Sequence, residues 1–228
     1  MIPLRDDNPT VLWPFVTISL IAINVAAFIY QMSLVIVDPG LEQALIYRLG
    51  MVPAVITQGV IPGSAGYSTI ITSMFLHGGL MHIMGNMLYL WVFGNNVEDS
   101  MGHARFTGFY LLTGVLAAAA HIALQPTSTV PTIGASGAVS GILGAYLVLH
   151  PHARVKTLLP LGIVFTIVYL PAWFLLIVWI GLQVLSQVFT PVAPDAGGVA
   201  YAAHIGGFVA GVVLIPLFRK YRRRRWFY

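Results

Sequence analysis

Long apolar runs, almost free of charge, constrain this chain more than any other feature. Six can be marked off: Val11–Val37, Leu80–Val97, Phe106–Leu124, Ser136–Leu149, Leu161–Val188 and Ala200–Phe218. A bilayer crossing needs about 20 mostly apolar residues, so the pattern predicts six membrane-spanning helices. Charged residues make up 8% of the chain, against about 25% in soluble domains. Seven acidic side chains cannot solvate a water-facing surface of this size, and so apolar a composition also excludes intrinsic disorder. The expectation is an all-α integral membrane protein, one polytopic domain over residues 1–228, with no separate soluble domain. The first run is too long for a cleavable signal peptide, and Asp6 and Asp7 spoil a basic leader.

The runs are not alike. The fourth is short and Gly-rich, so its start is expected below the membrane surface. The fifth contains Pro171 and is long enough to tilt or kink. Between the first two lies a mixed segment, Asp38–Gly66, whose amphipathic stretch LEQALIYRLGMVPAVI is expected to lie on the membrane surface. The absence of cysteine removes disulfides, thiolate metal sites and a thiol nucleophile together.

Lys/Arg bias orients the spans. With six crossings both termini share a side. Six basic residues lie in the tail RKYRRRRWFY, and Arg5, Arg105, Arg154 and Lys156 fall on the same side; only Arg48 of the eleven lies opposite. Both ends are therefore expected in the cytoplasm, with the protein in a plasma or inner membrane. The tail is read as a topology anchor touching anionic lipid rather than a nucleic-acid patch.

Polar side chains inside spans are expensive and mark function. Under this topology, spans two, four and six all run inward. Span two carries His82 and Asn86 in its first turns, span four begins Gly134-Ala135-Ser136-Gly137, and span six carries His204 about one turn in. Three parallel helices thus present His/Asn, Ser and His at one depth. A serine hydroxyl needs a base to become a nucleophile, and histidine suits that role near neutral pH. Ser136 and His204 supply the pair. A developing oxyanion needs fixed donors, which the helix start at Ser136 offers through its unsatisfied N–H groups. His82 and Asn86, four apart on one helix face, add side-chain donors. Gly134 and Gly137 let backbone come close. Small residues at four-residue spacing, Ser136/Ser140/Gly144 in span four and Ala203/Gly207/Gly211 in span six, predict a tight helix contact.

Isolated, a serine in such a row is packing and an intramembrane histidine a structural hydrogen-bonder; shared depth is what favours catalysis. Ser140, one turn deeper, reads as packing. His77 and His121 read as structural, and His103, His150 and His152 sit at cytoplasmic edges. GASGA is not the G-x-S-x-G nucleophile elbow, since Ala138 takes the last position. No H-E-x-x-H zinc motif occurs, and no metal site is expected.

These residues resemble the rhomboid family of intramembrane serine proteases. The likeness rests on GASG at Gly134–Gly137, on His204 with Gly206, Gly207, Phe208 and Gly211, and on His82 with Asn86. It continues in Val97-Glu98-Asp99 with Gly102 and Phe106. The resemblance implies a compact six-helix core, Ser136 as nucleophile and His204 as general base without an aspartate. It implies an oxyanion hole of His82, Asn86 and the Ser136 N–H, and Glu98 as a structural hydrogen-bonder. It also implies a partly embedded first loop, and a gate and cap from span five and the loop Thr190–Gly198. Two positions depart from the family pattern. Ser140 stands where an aromatic often stacks on the catalytic histidine, and Tyr47-Arg48 is only a loose counterpart of a first-loop Trp-Arg pair.

The implied activity is endoproteolysis of transmembrane protein substrates near their outer ends, with substrate entering from membrane lipid and no cofactor or nucleic acid involved. The rival readings are an inactive binder or chaperone of the same fold, expected to have lost Ser136 or His204, and a small-solute transporter with broken helices binding an anion.

Overall fold

A computed structural model describes residues 1–59, 66–162, 164–189 and 198–220. The loop expected to form the cap lies outside them except for Gly198, as does the end of the basic tail, 221–228. The elements run β1 (Ile2–Asp6), α1 (Phe15–Val37), α2 (Pro39–Leu49), α3 (Pro53–Gln58), α4 (Thr69–Thr72), α5 (Leu80–Met101), α6 (His103–Leu124), α7 (Ser136–Leu149), β2 (Arg154–Leu161), β3 (Val164–Pro171), α8 (Ala172–Phe189) and α9 (Tyr201–Phe218).

Helices α1, α6, α8 and α9 are long and apolar enough to cross a membrane. Polar residues such as Asn95, Asn96, Glu98 and Asp99 lower the hydropathy of α5, and α7 has only 14 residues. At 1.5 Å per residue α7 spans about 21 Å, short of a hydrocarbon core of about 30 Å. It is the centre of the bundle: every residue from Gly137 to Tyr146 is buried.

Glycines set how closely α7 meets α9. A Cβ at Gly207 would collide with the Gly137 carbonyl, one at Gly211 with the Gly141 carbonyl, and one at Gly144 with the Phe208 carbonyl. The first two pairs step in the same direction along both helices, 137 to 141 with 207 to 211, so α7 and α9 run parallel. Helix α5 runs with them, its His82 beside Gly134 and its Phe93 ring 4.9 Å from that of Tyr146. Three helices therefore start together at one end of the bundle. At the other end buried Glu98 ties α5 to the start of α1. Its carboxylate accepts from Val16 N, Thr17 N and Thr17 Oγ1 at 2.7–2.9 Å and pairs with His103 Nδ1 at 2.6 Å.

The all-α expectation is corrected by a three-stranded antiparallel sheet, β1-β2-β3. The fifth apolar run does not begin a helix at Leu161; its first part is a strand, and α8 starts at Ala172. The reason is local and tertiary together. Residues 164–169 (VFTIVY) are β-branched or aromatic, which favours strand. Gly162 takes φ +65 in the turn, and Pro160 and Pro171 are poor helix-interior residues. The N-terminal segment before the first apolar run supplies β1, pairing Ile2 with Leu158 and Arg5 with Lys156. Asp6 anchors it, accepting from Tyr146 Oη at 2.5 Å and Asn96 Nδ2 at 2.6 Å. Pro171 thus precedes a helix rather than kinking one.

Candidate active site

The first turns of α5, α7 and α9 open onto a cavity of about 990 Å³, whose walls include His82, Asn86, Ser136 and His204. The cavity is framed by the long first connection. Met51 and Thr132 exchange backbone hydrogen bonds at 3.1 and 2.7 Å, and Gly134 N donates to Ser73 O at 2.9 Å. These bonds hold the turn that delivers Ser136 to the start of α7.

Gly134 is the tightest point of that turn. Its φ of +127 lies in the region L side chains avoid. An added Cβ would stand 2.7 Å from His82 Nε2 and 3.6 Å from Ser136 Oγ. The imidazole and the hydroxyl thus flank the same bare backbone. His82 Nδ1 accepts from Gly78 N at 3.3 Å, so the ring proton belongs on Nε2, which faces this point as a donor. Asn86 is buried and its Nδ2 has no hydrogen-bond partner among the described residues. A buried unpaired amide is costly, and here the amide borders the cavity as a second donor. The N–H groups of the first turn of α7 lack intrahelical acceptors.

His204 is held from α8. Its Nδ1 lies 2.8 Å from Gln183 Oε1, and the Trp179 ring packs on it at 5.9 Å with a 33° tilt. Because Oε1 only accepts, Nδ1 carries the proton and Nε2 keeps its lone pair. Gln183 and Trp179 are four apart, hence on one face of α8. The stacking place left by Ser140 on α7 is taken by Trp179 from a different helix. Ser140 instead donates to Ser136 O at 2.6 Å. No hydrogen bond joins Ser136 Oγ to His204 among the described residues. Gln183 and Trp179 went unread in the sequence. The available signal was an amide in an apolar run, with a tryptophan one turn before it.

His121 also lines the cavity, and His77 sits behind His82. His121 Nε2 pairs with Thr132 Oγ1 at 3.0 Å. The His77 backbone is clamped by the Gln31 amide at 3.0 and 3.2 Å, and its ring meets that of His82 edge-on at 5.1 Å. Burial, helped by His82, lowers the His77 pKa to about 4. Gly137 and Gly207 lie at the α7–α9 contact, and Glu98 lies at the sheet end, away from the cavity. No group of three His, Cys, Asp or Glu suited to a metal ion occurs among the described residues.

The Rhomboid domain family matches residues 64–221. Rhomboid protein 1, mitochondrial, of Saccharomyces cerevisiae is 32% identical over 172 residues, covering 69% of this chain and 44% of that protein. Rhomboid protease GluP of Bacillus subtilis is 37% identical over 93 residues, covering 41% of this chain and 18% of GluP. Presenilin-associated rhomboid-like protein, mitochondrial, of Bos taurus is 27% identical over 154 residues, covering 64% of this chain and 36% of that protein. The chain spans less than half the length of each of these three curated relatives.

Proposed function

The chain is a member of the rhomboid family, and from that premise we propose that it is an intramembrane serine endopeptidase acting on transmembrane protein substrates. The observation that carries the reading is the meeting of Ser136, His204, His82 and Asn86 around one cavity at the starts of three parallel helices. Helices α1, α5, α6, α7, α8 and α9 would provide the six crossings, the short α7 starting below the outer surface, with the basic end in the cytoplasm and the cavity toward the outer face.

Ser136 Oγ attacks the substrate carbonyl carbon while its proton passes to His204 Nε2. The oxyanion receives hydrogen bonds from His82 Nε2–H, Asn86 Nδ2 and the N–H of Ser136. The C–N bond then breaks as His204 returns the proton to the leaving amine. Water, deprotonated by the same imidazole, releases the acyl group from Ser136. Gln183 takes the place an aspartate holds in a triad, fixing the tautomer without adding a buried charge. Substrate binding is expected to bring Oγ and Nε2 into hydrogen-bond contact, since catalytic contacts often tighten only in the complex.

Labelling with a fluorophosphonate probe, and cleavage of a transmembrane substrate in liposomes, test the reading. Wild type should react and cleave, while Ser136→Ala and His204→Ala should do neither. An unlabelled wild type, or cleavage that survives Ser136→Ala, would overturn it.

A further inference from the structure

The sheet has two unlike faces. Inward, Val155 and Thr157 are fully buried against the helix ends. Outward, alternate residues of β3 are uncovered: Phe165 at 65%, Ile167 at 50% and Tyr169 at 62% exposure. Their cross-strand neighbours continue the face, Ile167 opposite Leu158 and Tyr169 opposite Lys156, with Lys156 in turn opposite Arg5 on β1. The face is therefore graded, apolar toward the hairpin turn and basic at its root. No charged residue occurs between Lys156 and Asp195.

We propose that this outward face is a membrane-binding element, seated in the headgroup layer of the leaflet at the basic end of the bundle, with Arg5 and Lys156 on anionic lipid phosphates. Three observations select this occupant. An exposed row of aromatic and branched side chains gains by leaving water. Tyrosine beside lysine and arginine suits the interface, where one end of a residue is apolar and the other wet. Chain continuity adds the third: β3 passes straight into α8, whose Trp173, Phe174 and Ile177 are also exposed. Backbone chemistry sets the depth. Strands β1 and β3 are sheet edges, and their unpaired N–H and C=O groups cannot enter hydrocarbon. They stay hydrated among headgroups while only the side chains reach toward the acyl boundary. The apolar run that reads like the start of a span is thus membrane-associated in a different way. The proposal rests on membrane residence alone and stands whether or not the chain is a protease.

The full chain has no cysteine, so Phe165→Cys and Ile167→Cys each give one labelling site, with exposed His152→Cys as the aqueous reference. The variants carry an environment-sensitive fluorophore in vesicles of phosphatidylcholine with phosphatidylglycerol. Quenching by a spin label near the headgroup, with protection from aqueous iodide, is expected at 165 and 167 and not at 152. Combining Arg5→Gln with Lys156→Gln should weaken docking about fivefold for each charge removed, and pure phosphatidylcholine should weaken it likewise. In the unmodified chain, amide exchange across β3 should slow when phosphatidylglycerol is added. Iodide access equal to that at 152, stronger quenching by a deep spin label, self-quenching between copies, or exchange indifferent to lipid charge would each overturn the proposal.

Discussion

Gln183 on α8 meets Nδ1 of His204 on α9 at 2.8 Å, and no carboxylate takes part in that contact. The arrangement makes α8 a support for the proposed base as well as a wall of the cavity. Gln183→Leu should lower kcat by about ten- to a hundredfold, the worth of a hydrogen bond of about 1.5–3 kcal/mol to a group that becomes charged. KM should change little, and Gln183→Glu should recover part of the rate. Steady-state kinetics in liposomes checks this, and equal loss in both variants would show that Gln183 only packs.

Gly134→Ala should abolish fluorophosphonate labelling of Ser136 with a modest loss of stability. The added methyl would stand 2.7 Å from His82 Nε2, at a φ of +127 that alanine tolerates poorly. Retained labelling would show that His82 gives way.

Gly207→Ala probes the scaffold instead. Its methyl meets the Gly137 carbonyl across the α7–α9 contact, so the helices must separate. A loss of about 1–3 kcal/mol is expected from such overpacking, read as a lower Tm in detergent together with reduced cleavage.

Glu98→Ala should destabilise by about 3 kcal/mol or more, because several charge-assisted bonds to α1 and His103 vanish together. Thermal unfolding should show the loss. At temperatures where the variant remains folded, the labelling rate of Ser136 should match wild type.

The buried His77 ring gives a pH dependence of known sign. Its folded pKa is lowered from 6.5 to about 4, so the unfolded chain binds more protons between those values. Stability is therefore expected to fall as pH drops from 6.5 toward 4, and to be flat in this respect above 6.5. His77→Gln should reduce that slope in Tm measured across the interval. An unchanged slope would assign it to other groups.

Much of the architecture was legible because hydropathy and small-residue spacing are one-dimensional signals. The positions of α1, α5, α6, α7 and α9 follow from apolar runs, and the parallel α7–α9 contact from glycines at four-residue steps. Ser136, His204, His82 and Asn86 stood out as polar groups near helix starts, and the fold sets them around one cavity. The stretch from Leu161 to Pro171 misled because hydropathy measures preference for an apolar medium and not backbone geometry. That stretch pairs with the neighbouring β2, whose other edge is covered by β1 from the far end of the sequence.

The sequence by itself determined that the chain is membrane-embedded, that Ser136 and His204 stand near the starts of apolar helices, and that two helices meet through glycine. Each of these is a property of composition or local spacing. Only the tertiary structure decided that Trp179 and Gln183 steady His204, that Gly134 leaves room beside His82, and that an apolar run becomes a sheet with an uncovered face. Those outcomes depend on which side chains meet across elements distant in the chain, and no local pattern encodes such meetings.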